Sequence, residues 1–322
     1  MIVKSLIFVS ILLNTVGLGG ISDRIDRAII VKETNPTNIA VASDIDISLP
    51  QILARPKVKF GAEKPLIYAS EYILVDNDSG KILLKEGIKN RVPIASTTKI
   101  MTAIVSLENY KLDDTVTISE TASSQVGADT FIRPGEQVKV GELLKGLLIK
   151  SGNDTAYALA EKMNGYGDIG ITRFVDKMNE KAKELGMMDT RYEDPAGLDT
   201  TGYSSAYDLY LAASHALKNE TFAAIVKTKQ DAFTNIDSTI WHEVTNSNRL
   251  VADYNYMGAI GVKTGYMPEA GHVLVSAAKR DDHTLIGVII RTTADNATAS
   301  ADESIKLLDW GWQNVEWSST LN

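Results

Sequence analysis

Pro93-Ile94-Ala95-Ser96-Thr97-Thr98-Lys99-Ile100-Met101-Thr102-Ala103 is the stretch on which the fold turns. Pro93 interrupts the element before it, and the spacing of Ile100, Ile104 and Leu107 predicts a helix over 97–110 with one apolar face. Ser96 then stands where that helix starts, near unpaired backbone N–H groups and the positive end of the dipole. Lys99 follows three residues later, one turn along the same face, so its amine falls beside the Ser96 hydroxyl. A serine is a poor nucleophile until a base takes its proton. A lysine can be that base only if burial and a nearby second cation lower its pKa. Taken alone, Ser96 would serve equally well as a helix cap and Lys99 as a solvated surface residue.

Two further clusters change that balance. Ser151-Gly152-Asn153 falls between predicted helices over 140–149 and 154–163, where a loop can aim side chains into a cleft. The Ser151 hydroxyl can relay a proton between Lys99 and a leaving amine, and the Asn153 amide can hold a substrate carbonyl. Lys263-Thr264-Gly265 ends a β-rich run. There Lys263 and Thr264 can bind a substrate carboxylate, and Gly265 permits close backbone approach. Lys263 is also the expected second cation for Lys99, and the amides of Ser96 and Tyr266 are the natural oxyanion donors. Each cluster is weak by itself, but together they supply a nucleophile, a base and a cationic anchor without any histidine.

Around these clusters the pattern is that of an α+β fold. Residues 71–76 and 81–85 read as two strands joined by the turn Asn77-Asp78-Ser79-Gly80, a hairpin expected at the outside of a sheet. Helices are expected over 171–185, closed by Gly186, and over 206–217, capped by Ser204 or Ser205 with Asp208 in the first turn. Runs at 259–264, 272–279 and 285–292 predict an antiparallel meander. A closing helix over 300–312 packs Ile305, Leu308 and Trp312 onto it. The expected architecture is an antiparallel β-sheet flanked by helices, with an inserted helical region and with first and last strands in one sheet.

The 322-residue chain has an ordinary apolar fraction and a net charge of -8, which argues against nucleic acid as a partner. It contains no Cys, which removes thiol catalysis, disulfides and thiolate metal sites and suits an exported protein. His215, His242, His272 and His283 show no metal-ligand spacing, and neither a G-x-S-x-G elbow nor a glycine-rich phosphate loop is present. No metal or other cofactor is called for. Lys4, the apolar residues 6–18 and Gly19-Gly20 read as a signal peptide over 1–20, with an uncleaved N-terminal anchor as the other reading. Residues 21–60, with Pro36, Pro50 and Pro56 dispersed through them, are expected to be a flexible linker before a catalytic domain over 61–322.

From about Ala69 to Trp312 the chain resembles the D-alanyl-D-alanine carboxypeptidases, the low-molecular-mass penicillin-binding proteins. The resemblance rests on the three clusters, a set shared by penicillin-binding proteins and serine β-lactamases. Asp194-Pro195-Ala196-Gly197-Leu198-Asp199, Ser204-Ser205-Ala206-Tyr207-Asp208-Leu209 and Ala270-Gly271 also contribute. It implies a β-lactamase/DD-transpeptidase-like fold, with Ser96 acylated, Lys99 accepting the proton, and Ser151 and Asn153 completing the second motif. Lys263 would hold the terminal carboxylate of a peptidoglycan stem peptide, and β-lactams would act as covalent inhibitors. The enzyme would work on the periplasmic or other extracytoplasmic side. Met267 stands where many relatives carry threonine. Since the sequence reaches Asn322 soon after the last helix, any membrane tether is expected at the N-terminus. A DD-endopeptidase would use the same machinery. A serine β-lactamase would need a second base, and neither Glu184 nor Glu193 has a recognisable context for one. A wall-binding module without activity would not need Ser96, Lys99, Ser151 and Lys263 together.

Overall fold

The computed structural model describes residues 56–163, 167–292 and 296–317. The leader, and the linker as far as residue 55, lie outside the described residues. The central sheet has five antiparallel strands: β1 (Ala69–Asp76), β2 (Lys81–Glu86), β3 (Ala259–Met267), β4 (Gly271–Arg280) and β5 (His283–Thr292). Their order is β2-β1-β5-β4-β3, so the first hairpin forms one edge and the meander the rest. Pairing of β1 with β5, Val75 opposite Ile286, joins the first and last strands as expected.

Residues Tyr72 to Asp76 are all buried, because β1 is covered on both faces. Ile73 and Val75 join the core shared with the helices, whereas Tyr72 and Leu74 join a second cluster with Leu285, Leu307, Leu308 and Trp310. The second cluster is closed by the C-terminal helix Ala299–Asn314, where Leu308 is buried and Ile305 and Trp312 pack against its margin. Burial of a Leu or Ile side chain contributes roughly 1.5–3 kcal/mol, so these two layers supply most of the driving force.

The helical region is inserted between β2 and β3. It holds α1 (Lys99–Asn109), α2 (Asn153–Glu161), α3 (Gly167–Glu184) and α4 (Ala206–Ala216). Ser205 caps α4 by accepting from the Asp208 amide at 3.2 Å. Among the described residues no helix is long and apolar enough to cross a membrane.

Three details differ from the sequence reading. Ordered pairing starts before residue 61: Lys57–Val58 pairs with Val315–Glu316, and the Lys59 amide donates to the Asn314 carbonyl at 2.8 Å. The helix expected over 97–110 is split into a 3₁₀ turn, Ala95–Thr98, and α1. The helix expected over 140–149 is α only over Val140–Lys145 and widens into a π turn, Gly146–Lys150. The 3₁₀ turn carries Ser96 of the first motif and the π turn runs into Ser151 of the second, and such irregular turns commonly mark functional positions.

Candidate active site

Ser96 sits in the 3₁₀ turn directly before α1, half-buried, after Ala95 in a left-handed conformation (φ 47°). A non-glycine residue held there costs on the order of 1–3 kcal/mol, which the surrounding core must offset. The turn lies against edge strand β3. A Cβ at position 265 would fall 2.9 Å from the Ile94 carbonyl oxygen and 3.1 Å from the Ser96 amide nitrogen, so glycine is needed for this approach.

Lys99 opens α1 and is fully buried. Its Nζ lies 2.9 Å from Ser96 Oγ, 2.7 Å from Asn153 Oδ1 and 2.8 Å from the Ala196 carbonyl oxygen. An ammonium would donate to all three. A neutral amine donates to two and keeps a lone pair for the third. Asn153 and Ala196 present only acceptors to it, so the lone pair is left for the Ser96 hydroxyl, and the geometry fits a base poised to take that proton. Burial lowers the Lys99 pKa to about 7, opposed by the carboxylates of Asp194 and Asp154.

Lys263 is likewise buried, with its Nζ donating to the Thr264 carbonyl at 3.0 Å. Burial, and next the charge of Lys99, push its pKa well below the ordinary lysine value. Lys263 was expected to be the cation that tunes Lys99, but the pKa of Lys99 is lowered by burial and supported by Asp194 and Asp154, with no contribution from Lys263. The charge of Lys99 acts instead on Lys263, where it adds to the effect of burial.

The second motif is set by the π turn, which ends with Ser151 in the left-handed region (φ 72°). Ser151 and Asn153 both line the cleft. The Asn153 amide is engaged within the protein, with Oδ1 on Lys99 and Nδ2 donating to the Val126 carbonyl at 2.6 Å. It therefore fastens the base to a loop, a role the sequence reading did not assign. Asp154, with its pKa raised to about 6 mainly by burial, holds that loop by accepting from the Thr130 amide at 2.9 Å and its hydroxyl at 2.6 Å.

The segment from Asp194 to Asp199 matters more than its sequence suggested. The Asp194 carboxylate accepts four backbone amides, from Ala196, Gly197, Leu198 and Asp199, at 2.6, 2.6, 2.9 and 2.7 Å. That ring fixes the Ala196 carbonyl on Lys99. An Asp followed by a Pro and a Gly is a turn signal that could have revealed the ring, although not its target. Gly197 has φ +78°, and a Cβ there would lie 2.0 Å from the Ala95 carbonyl oxygen. Gly197→Ala is therefore expected to destabilise the protein by roughly 2–5 kcal/mol, combining positive-φ strain and overpacking. Urea denaturation checks this, and wild-type stability would contradict the packing described.

The cleft has a volume of about 530 Å³ and is lined by Ser96, Ser151, Asn153, Thr264, Gly265 and Tyr266, among others. Ser247 and Thr264 share a hydrogen bond of 2.8 Å between their hydroxyls on its wall. Met267, at the end of β3, also lines it. Glu184 and Glu193 do not enter the site; each pairs with a neighbouring cation, Lys181 and Arg191. Glu269 does line the cleft, exposed on the turn between β3 and β4. The described side chains most nearly disposed to hold a metal, Asp76, Asp78 and His283, are not among the cleft-lining residues.

Residues 58–294 match the D-alanyl-D-alanine carboxypeptidase family profile. The chain belongs to this family. D-alanyl-D-alanine carboxypeptidase DacF of Bacillus subtilis is 37% identical over 255 residues, covering 77% of this chain and 63% of DacF. A D-alanyl-D-alanine carboxypeptidase of a Streptomyces species, strain K15, is also 37% identical, covering 77% of this chain and 89% of the relative. The crystal structure of the Streptomyces K15 DD-transpeptidase superposes with a TM-score of 0.73 at 36% identity, over 78% of this chain and 99% of that one. The D-alanyl-D-alanine carboxypeptidase structure from Mycobacterium tuberculosis gives 0.72 at 31% identity, over 80% and 96%. Membership in this serine peptidase family accords with the α+β fold and with a nucleophile–base pair at the cleft.

Proposed function

We propose that the protein is a serine-type D-Ala-D-Ala carboxypeptidase, removing the terminal D-Ala of peptidoglycan stem peptides through an acyl-enzyme on Ser96. One observation carries this reading: a fully buried lysine whose amine lies 2.9 Å from the hydroxyl of a serine that lines a cleft. Neutral Lys99 takes the Ser96 proton as Oγ attacks the carbonyl of the penultimate D-Ala. The Ser96 and Tyr266 amides stabilise the developing oxyanion. The C–N bond then breaks while the proton passes through Ser151 to the leaving amine. Neutral Lys99 then takes a proton from the attacking water and passes it to Ser96 Oγ as the ester breaks, which restores the free hydroxyl and the neutral base. Thr264 and Gly265 form the wall along which the peptide extends, with Lys263 adding positive potential from behind.

The reading demands a free carboxylate on the residue that leaves. A C-terminal amide on an otherwise identical peptide is expected to lower kcat/KM by ~1.5–3 kcal/mol, the usual range for a hydrogen bond to a charged group. Equal cleavage of acid and amide would defeat it and move a DD-endopeptidase, which acts on cross-links, ahead. β-Lactams, with their acyl amide and carboxylate, fit the same cleft as covalent inhibitors. The apolar run at 6–18 supports export to the cell-wall side of the membrane, with the same segment as the tether if it is kept.

A further inference from the structure

Away from the cleft, two turns of the central sheet bring together side chains that the proposed reaction does not use. Asp76 ends β1, Asp78 lies in the turn after it, and His283 opens β5. The register sets Asp76 opposite Leu285, so His283, two residues before Leu285, faces the same side of the sheet. One ligand atom from each of the three lies within 4.8 Å of the others. The histidine is far from the aspartates in the chain, so no metal-ligand spacing marks them. We propose that Asp76, Asp78 and His283 form a site for a divalent transition-metal ion of the zinc class, which clamps the first hairpin of the sheet to the last.

The charges there call for a cation. Asp76 is 1% exposed, and the Asp78 carboxylate is close to it. Two like charges at that separation are costly when one of them is buried. Among the described residues no lysine or arginine pairs with either carboxylate. Lys81, opposite Asp76 across the first hairpin, gives its amine to the Pro56 carbonyl at 2.6 Å instead.

The neighbours hold these side chains as outer groups hold the ligands of a metal. Asp76 Oδ1 accepts from the Ser79 amide and hydroxyl, and Oδ2 accepts from the Trp317 indole at 2.7 Å. Asp78 Oδ2 accepts from the Thr284 amide at 2.7 Å. Trp317 also stacks on His283, with ring centroids 4.6 Å apart. A carboxylate has about four lone-pair sites, so each aspartate keeps capacity for an ion.

The donor set selects the ion. Imidazole suits zinc and its neighbours, whereas calcium and magnesium take oxygen ligands. Zinc bonds of about 2.0–2.2 Å place tetrahedral ligand atoms about 3.4 Å apart. Asp78 is exposed on its turn and can swing inward to reach that spacing. Three protein ligands leave the fourth position to water.

The test titrates full-length wild-type protein, His283→Gln and Asp78→Ala with zinc chloride by calorimetry, and follows their melting temperatures with zinc or calcium chloride. A single cooperative melting transition without metal shows that each variant is folded. The expected result is one zinc ion per chain and a melting temperature raised by zinc but not by calcium. Zinc affinity should fall at least ~10-fold in each variant. Wild-type protein that binds no zinc, or a variant that binds it with wild-type affinity, overturns the site. A calcium response equal to that of zinc overturns the choice of ion.

Discussion

Ser96→Ala is expected to abolish covalent labelling by penicillin completely while leaving the protein folded. The β-lactam amide takes the place of the scissile D-Ala-D-Ala bond, and its carbonyl must meet a hydroxyl that a base can deprotonate. Among the hydroxyls lining the cleft, only Ser96 is within hydrogen-bonding distance of the Lys99 amine. Ser151 and Ser247 also line the cleft, so the variant asks directly whether either can substitute. The half-buried Ser96 hydroxyl makes one side-chain contact, so its loss should change stability by no more than about 1 kcal/mol. Intact-mass measurement with and without penicillin, followed by peptide mapping, reads the result. An adduct on another serine, or one that persists in Ser96→Ala, contradicts the assignment.

Lys99→Arg separates charge from basicity at the same position. With the Lys99 pKa lowered to about 7, the neutral fraction grows as pH rises through that value. Wild-type acylation should therefore climb through pH 7 and level off above it, since the base acts in its unprotonated form. Arginine remains charged across that range and cannot take the Ser96 proton. Acylation should drop by roughly 10²–10⁴ at neutral pH, and the rise through pH 7 should vanish. Stopped-flow acylation by a chromogenic cephalosporin at several pH values measures both effects. Near-wild-type rates would place the base elsewhere, with Ser151 next in line. Some of the loss is steric, because the larger head must fit among Asn153, Ala196 and Ser96, but sterics alone would leave the pH dependence in place.

Much of this site could be read from residue order. Ser96, Lys99, Ser151, Asn153, Lys263 and Thr264 lie in three short clusters whose spacing can be tested without coordinates. The strands of the meander announced themselves by apolar runs and turns, and α4 by its cap at Ser205. What escaped depends on contacts between distant segments. The Asp-Pro-Ala-Gly signal marks a turn around the Asp194 carboxylate, but nothing near it says that this turn places the Ala196 carbonyl on Lys99. The π turn before Ser151 looks like ordinary helix, since its residues Leu147, Leu148 and Ile149 are apolar and buried like those of any helix packed into a core. Lys263 was expected to lower the Lys99 pKa, whereas the effect runs from Lys99 onto Lys263. What lowers the pKa at Lys99 is burial, which depends on the fully folded core.

The central claim is that this cleft hydrolyses one terminal D-Ala through Ser96. Mass spectrometry of purified protein incubated with a stem pentapeptide tests it most directly. The account predicts conversion to the tetrapeptide with release of a single alanine, absent in Ser96→Ala. A pentapeptide left intact by folded protein that cleaves cross-linked dimers would contradict it.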